Sequence, residues 1–254
     1  MTEQVLVEAR DGVQIITINR PKAKNALNLE VATAVAAAVD ELDSNDELRV
    51  GVLTGAGGVF SAGMDLKAFL AGESPAIEGR GLCGITQTPP RKPFIGAVEG
   101  WALAGGFELL LACDLVVAAE SARFGVPEVK RSLVAGGGAA LLLAQRIAPA
   151  FALELLLTGE PIDASRAAEI GLVNRVAPEG GALDAALAMA GVIAANGPLA
   201  VAATKAIARR SADWTWNQAW TEQDALMMPV FASEDAREGA TAFAEKRAPV
   251  WTGR

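Results

Sequence analysis

What most restricts the fold of this chain is a unit that recurs along it: a short apolar run, a glycine-rich turn, then a segment with apolar residues at helical spacing. Phe94 to Val98 reads FIGAV; a glycine-rich turn follows, then a helix from about Gly106 to Cys113 and strands at Leu115 to Ala118 and near Arg123 to Phe124. A strand that is apolar at nearly every position is covered on both faces, and strands that alternate with helices predict an α/β fold with mostly parallel or mixed strands.

The flanking segments extend this pattern. Val5 to Arg20 holds two extended segments joined by Asp11-Gly12, a strong hairpin signal. Asn28 is placed to cap a helix carrying Val31, Val35, Val39 and Leu42, which Asp43 to Asp46 closes, and Val50 to Thr54 is a short buried strand. Gly72 to Pro90, rich in glycine, proline and small polar residues, reads as a mobile loop. Gly136-Gly137-Gly138 precedes a helix through Gln145; a further helix covers about Ala150 to Leu157, and Leu172 to Val176 reads as the last strand. Beyond about Gly180 only alanine-rich helical segments follow, at Ala182 to Ala195, Leu199 to Arg210, Trp214 to Met228 and Ser233 to Arg247. Asn196-Gly197-Pro198 marks the boundary between a core, residues 1–195, and a helical region, residues 196–254.

Composition excludes whole classes of chemistry. The 254 residues include no histidine and no tyrosine, which removes Ser-His-Asp and Cys-His nucleophiles and any histidine metal site. Proton transfer is left chiefly to Asp, Glu and Lys. A net charge of −8 without a basic run is not the footprint of a nucleic-acid binder. Two cysteines, Cys83 and Cys113, have no metal or redox spacing and read as reduced buried thiols of a cytoplasmic protein. The opening MTEQVLVEARDG is polar and acidic, and no 18-residue apolar stretch occurs, so neither a signal peptide nor a membrane span is expected.

Thr54 to Gly58, TGAGG, fails the nucleotide-loop patterns, because Phe60 stands where a G-x-G-x-x-G needs glycine and no G-x-x-x-x-G-K-[ST] exists. FSAGMDL (Phe60 to Leu66) and ALAGGFE (Ala102 to Glu108) instead set glycine ahead of helix starts, where backbone N–H groups lack partners. Two readings stand: ordinary tight turns, or two amide clusters that converge as an oxyanion hole. Glu108, alone among apolar residues in FELLLAC, is either a cap for free amides near its own helix start or an acid whose pKa burial raises. Glu128 in FGVPEVK is either half of a surface ion pair or a second acid, and spacing alone does not bring the two together.

Five segments in order, INRPKAKNALN (Ile18 to Asn28), LTGAGGVFSAGMDLKAF (Leu53 to Phe69), Gly96 to Val129, LTGEPIDASRAAEIGLVNRV (Leu157 to Val176) and FAEKRAPVW (Phe243 to Trp251), resemble the crotonase, or enoyl-CoA hydratase/isomerase, superfamily over nearly the whole chain. The resemblance implies a crotonase-like spiral of ββα turns with a C-terminal helical trimerisation region, assembled as a homotrimer or a hexamer of two stacked trimers. It implies an oxyanion hole from the N–H groups of Met64 and Gly105, and a water held by Glu108 and Glu128. The family's isomerases typically lack the acid at the position of Glu108, so the resemblance favours syn hydration of trans-2-enoyl-CoA thioesters. Double-bond isomerisation and dehydration of a substituted acyl-CoA remain as alternatives within the family, and a non-catalytic acyl-CoA or RNA-binding relative or a two-carboxylate glycosidase outside it. Coenzyme A enters with the substrate and no other cofactor or metal is implied. Its half is expected along Lys22, Ala23, Ala26, Ala62, Asp65, Leu66 and Lys67, with Phe243 and Lys246 from the C-terminal region, Lys246 reaching from a neighbouring subunit, and Gly136 orienting the water. Departures from the family pattern are Ala104, where a third glycine is common, Ala135, where proline is common, and Ala139 to Leu142, where Thr-Gln-Arg is frequent.

Overall fold

The computed structural model describes residues 3–254; Met1 and Thr2, the first residues of the polar N-terminus read above, lie outside it. Strands β1 (Val5–Arg10) and β2 (Val13–Ile18) form the expected hairpin, with both turn residues, Asp11 and Gly12, at positive φ. Helix α1 (Leu29–Ser44) starts where Asn28 accepts a hydrogen bond from the Val31 N–H. Then come β3 (Val50–Gly55), α2 (Leu66–Leu70), the short pair β4 (Ala76–Ile77) and β5 (Gly81–Leu82), β6 (Phe94–Val98), β7 (Trp101–Leu103), α3 (Gly105–Ala112), β8 (Leu115–Ala119) and β9 (Arg123–Gly125). The chain continues through α4 (Ala139–Arg146), α5 (Pro149–Thr158), β10 (Ile162–Asp163), α6 (Ala164–Glu169), β11 (Arg175–Ala177), α7 (Ala182–Ala194), α8 (Pro198–Arg210), α9 (Trp216–Phe231) and α10 (Glu234–Glu245).

Two sheets share these strands. The larger runs β1-β2-β3-β6-β8-β11 and is parallel except for the hairpin; the smaller runs β10-β9-β7. Consecutive strands divide between them: β6 and β8 enter the large sheet, while β7 and β9, a few residues later, pair in the small one. Each such pair is followed by a helix, so the chain climbs in ββα turns.

Alternation along the large sheet explains why its strands read as continuous apolar runs. Val50, Val52, Ile95, Ala97 and Val117 pack on one face against Ala186 and Ala190 of α7. Leu53, Phe94, Val98, Val116 and Ala118 face the other way, into the main core with α1 and α3. Successive strand side chains point to opposite faces, and here both faces are covered.

Three expectations need correction. Gly72 to Pro90 is not a loose loop: it holds the β4–β5 pair, and Leu82, Cys83, Ile85 and Thr86 are buried, because the apolar stretch inside the glycine-rich segment joins the core beside α1 and α3. The last strand is shifted to Arg175–Ala177, since the Leu172 and Val173 N–H groups both donate to Ala167 O and finish α6 instead. Strands β7 and β10 and helix α6, of three, two and six residues, add elements to those expected from the sequence. Among the described residues no single helix is long and apolar enough to cross a membrane.

Candidate active site

Two backbone N–H groups are left over where helix starts meet the small sheet. Leu27 bridges the segment before α2: its N–H donates to Gly63 O at 2.8 Å and its carbonyl accepts from the Asp65 N–H at 2.8 Å. Those bonds go to the residues on either side of Met64, whose own N–H donates to no acceptor among the described residues. Gly105 is the first residue of α3, so its N–H has no intrahelical partner either, and none is supplied from elsewhere among the described residues. The two donors lie close together. A Cβ built on Gly105 would lie 3.6 Å from Met64 N, and one built on Gly63 would lie 3.0 Å from Gly105 N.

Glu108 sits one turn into α3 and is 4% exposed. It does not cap its own helix. Its Oε1 accepts from the N–H of Ala139, the first residue of α4, at 3.1 Å, so it caps α4 instead. The glycine at 137 makes room for this, since a Cβ there would meet Glu108 Oε2 at 2.6 Å. Burial pushes the Glu108 pKa above the ordinary carboxylate value, although the backbone N–H groups of Ala139, Gly137 and Gly138 work against the shift.

Glu128 lies in the first turn of a 3-10 segment, Pro127–Arg131, and is half-buried. Among the described residues no cation pairs with it: neighbouring Lys130 bridges to Glu160 instead, and Glu128 Oε2 is buried with no hydrogen-bond partner. Its pKa is raised by burial first and then by the charge of Glu108, against its own backbone bond and Arg131. The topology explains how residues this far apart in sequence meet: β7 and β9 pair in parallel with Leu103 opposite Gly125, and one acid follows each strand.

The residues predicted for the coenzyme half fall into two groups. Lys22 and Ala23, exposed in a 3-10 turn, and half-buried Ala26 run beside Ala62, whose N–H donates to Lys24 O at 3.0 Å. Asp65 caps α2 through bonds from the Lys67 and Ala68 N–H groups and is held by Arg20 at 2.9 Å. Burial opposes its ionisation, but the Arg20 guanidinium and the two N–H donors outweigh it and leave the pKa below the usual value. Leu66 and Lys67 are exposed on α2, and Gly136 is exposed immediately before Gly137. Phe243, 88% exposed, and Lys246, the left-handed cap of α10, belong to a different part of the chain: α10 packs on α9 and on the tail that Asp235 holds through Thr252 and Gly253. Among the described residues no side-chain hydrogen bond or salt bridge joins Phe243 or Lys246 to the residues around Glu108.

Sequence reasoning missed several residues that shape the site. Ser61 accepts from the Gly63 N–H at 3.1 Å and donates to Asn25 O at 2.8 Å, and buried Asn25 in turn accepts from the Arg20 N–H. Leu82, from the segment read as a loop, has Cδ2 3.3 Å from a Cβ built on Gly105 and 3.0 Å from one built on Gly137, so it walls the space between the N–H donors and the Glu108 carboxylate. The signal for Leu82 was an apolar residue inside a glycine-rich stretch; for Ser61 there was none. A cavity of about 710 Å³ lies between α7, α8 and the core, lined by residues that include Asp114, Arg146, Lys205 and Arg209, and neither Glu108 nor Glu128 lines it.

The arrangement sets two unoccupied N–H donors beside two carboxylates with raised pKa values. That is suited to stabilising charge on a carbonyl oxygen while a proton moves nearby. A family model described as enoyl-CoA hydratase/isomerase matches residues 8–254. Enoyl-CoA hydratase EchA19 of Mycobacterium tuberculosis is 44% identical, over 98% of this chain and 96% of its own length. Carnitinyl-CoA dehydratase of Salmonella typhi is 38% identical over the full length of both. Among solved structures, enoyl-CoA hydratase EchA1 from Mycobacterium marinum is 58% identical, covers both chains completely and superposes with a TM-score of 0.98.

Proposed function

Because the chain belongs to the enoyl-CoA hydratase/isomerase family, we propose that it is a lyase that adds water across the 2,3 double bond of a trans-2-enoyl-CoA thioester. What supports this reading is that Glu128 Oε2 is buried without a partner among the described residues, and that the N–H groups of Met64 and of Gly105, at the start of the helix that carries Glu108, likewise have no acceptor there. The thioester oxygen accepts from Met64 N–H and Gly105 N–H. A water sits between the carboxylates; its oxygen forms the bond to C3 while the π electrons move toward C2 and the thioester oxygen. Glu108 takes the proton lost by the water, Glu128 in its protonated form delivers one to C2, and proton exchange between the two acids resets the site. Raised pKa values favour this division, since one shared proton is easier to hold than two charges. Each acid-base role is worth about 10²–10⁴ in rate and each oxyanion donor about 10²–10³.

A second reading, dehydration of a substituted acyl-CoA, runs the same chemistry in reverse and is supported by the full-length similarity to carnitinyl-CoA dehydratase. The exposed cations Lys22 and Lys67 flank the segments assigned to the coenzyme, which brings no other cofactor into the scheme. Exposed Trp216, Trp220, Met228, Phe231 and Phe243 on α9 and α10 support assembly as a trimer or hexamer, with Lys246 then available to a neighbour's site. A cytosolic location is supported by two free, buried thiols, each pushed up to about 12 by burial. The test is hydration of short and medium trans-2-enoyl-CoA by wild type, Glu108→Gln and Glu128→Gln, with 3-enoyl-CoA to detect isomerisation. Unchanged hydration in both variants would sink the reading, and light scattering measures the assembly.

A further inference from the structure

Ala104 stands immediately before the Gly105 donor, with φ 50° and ψ −128°. That region suits glycine and strains a residue with a Cβ. The backbone there is pinned on both sides: the Ala104 N–H donates to Gly125 O at 3.0 Å, and its carbonyl accepts the first helical bond, from the Glu108 N–H, at 3.0 Å. The turn itself therefore needs no methyl group, and glycine would make it without strain.

The methyl has a specific neighbour. A Cβ built on Gly63 would lie 2.8 Å from Ala104 Cβ, which puts the methyl against the residue that precedes the other donor, Met64. Gly63 is held from its remaining sides by Ser61 Oγ, which accepts its N–H at 3.1 Å, and by the Leu27 N–H, which its carbonyl accepts at 2.8 Å. With φ at 92° it has no room for a side chain of its own. We propose that Ala104 is a positioning residue: its methyl, wedged against Gly63, fixes the spacing between the Met64 and Gly105 N–H donors, and the strain in its backbone is retained for that purpose. Donors held at fixed positions act on charge that develops in the reaction without reorganising, and small displacements of such groups cost rate steeply.

This inference rests on the proposed hydration, in which both N–H groups hold the thioester oxygen. The variants are Ala104→Gly, which relieves the strain and deletes the methyl, and Ala104→Ser, which keeps a Cβ. Three readouts apply to each: thermal stability, kcat and KM separately for a short trans-2-enoyl-CoA, and the ultraviolet red shift of a bound aryl-conjugated enoyl-CoA, which reports polarisation of the thioester carbonyl. Ala104→Gly is expected to melt about 2–4 °C higher, to lose about tenfold in kcat with KM little changed, and to show a reduced red shift. Ala104→Ser is expected to keep kcat and the red shift. If the wild type shows the red shift and Ala104→Gly keeps both it and kcat within twofold, the positioning role is overturned while the hydratase reading survives. If the wild type neither shifts the probe nor hydrates the substrate, the hydratase reading fails and this role with it.

Discussion

Asp114 and Glu108 are carboxylates of the same layer, one just after α3 and one inside it, yet their surroundings are built on opposite terms. Asp114 is saturated. It accepts from the Phe94 N–H at 2.8 Å and forms ion pairs with Lys205 at 2.6 Å and Arg209 at 2.8 Å. Lys205 spends its other donors on the carbonyls of Pro90 and Lys92, and Arg146 on that of Cys113. Around Glu108 the bonding stops short: among the described residues Glu128 Oε2 has no donor, and the Met64 and Gly105 N–H groups have no acceptor. Buried polar groups are normally paired, so a cluster of unpaired ones marks space reserved for another molecule. The saturated cluster ties α8 to the core; the unsaturated one is where chemistry is proposed.

The sharpest way to break this contrast is to change each carboxylate cluster and ask which property falls. Glu108→Gln keeps shape and volume and is expected to lower kcat for hydration by about 10²–10⁴, with melting temperature little altered. Lys205→Met acts on the other cluster. Breaking a buried pair costs about 3–5 kcal/mol, and the lower end applies here because Arg209 still faces Asp114. Melting should drop by about 6–12 °C, measured by calorimetry, with kcat per folded molecule unchanged. If Glu108→Gln destabilises as much as Lys205→Met and hydration persists, the two clusters are alike and the contrast is false.

pH sharpens it further. Glu128 has its pKa raised in the folded chain, so the folded state holds that proton more tightly than the unfolded state does. The stability this contributes is full below the unfolded carboxylate pKa and is lost as pH rises through the folded value. Glu128→Gln removes the dependence. Relative to wild type it should gain melting temperature between acid and neutral pH, by a few degrees, and the difference should close toward pH 4. In the wild type kcat/KM should fall in parallel as pH rises through the raised Glu128 value, because the proposed step uses Glu128 in its protonated form. A flat difference in melting temperature across that range would show that Glu128 is not poised as described.

Much of this contrast was written in the chain and part of it was not. The strands of the large sheet were legible because burial on both faces forces apolar residues at nearly every position, as in FIGAV. Strands β7 and β10, of three and two residues, are too short to show any period, although both pair with β9 in the small sheet and one acid follows each of β7 and β9. Glu108 and Glu128 could be singled out by chemistry, because a chain without histidine leaves carboxylates to move protons. Their meeting could not be read from spacing, since it depends on Leu103 lying opposite Gly125. Composition misled at Gly72 to Pro90, where glycines and prolines hid Leu82, Cys83 and Ile85, three residues that pack into the core. Phe243 and Lys246 matched the family by order along the chain, but the fold of one chain keeps them with α9 and the tail.

The smallest effect expected is also the one that separates binding from chemistry. Lys67 is exposed on α2, two residues after Asp65, and no salt bridge holds it among the described residues. An exposed charge of this kind contributes about 0.2–1 kcal/mol to a pairing, so Lys67→Ala should raise KM for an enoyl-CoA by no more than about fivefold and leave kcat alone. Because the contribution is electrostatic and solvent-facing, the difference between variant and wild type should shrink as salt is raised and the screening length falls below about 8 Å. The same substitution assayed on a truncated enoyl thioester without the nucleotide should have no effect on KM. If kcat falls instead, Lys67 acts through the Asp65 cap and hence on the Met64 donor beside it, and the boundary drawn between coenzyme binding and the N–H pair would have to move.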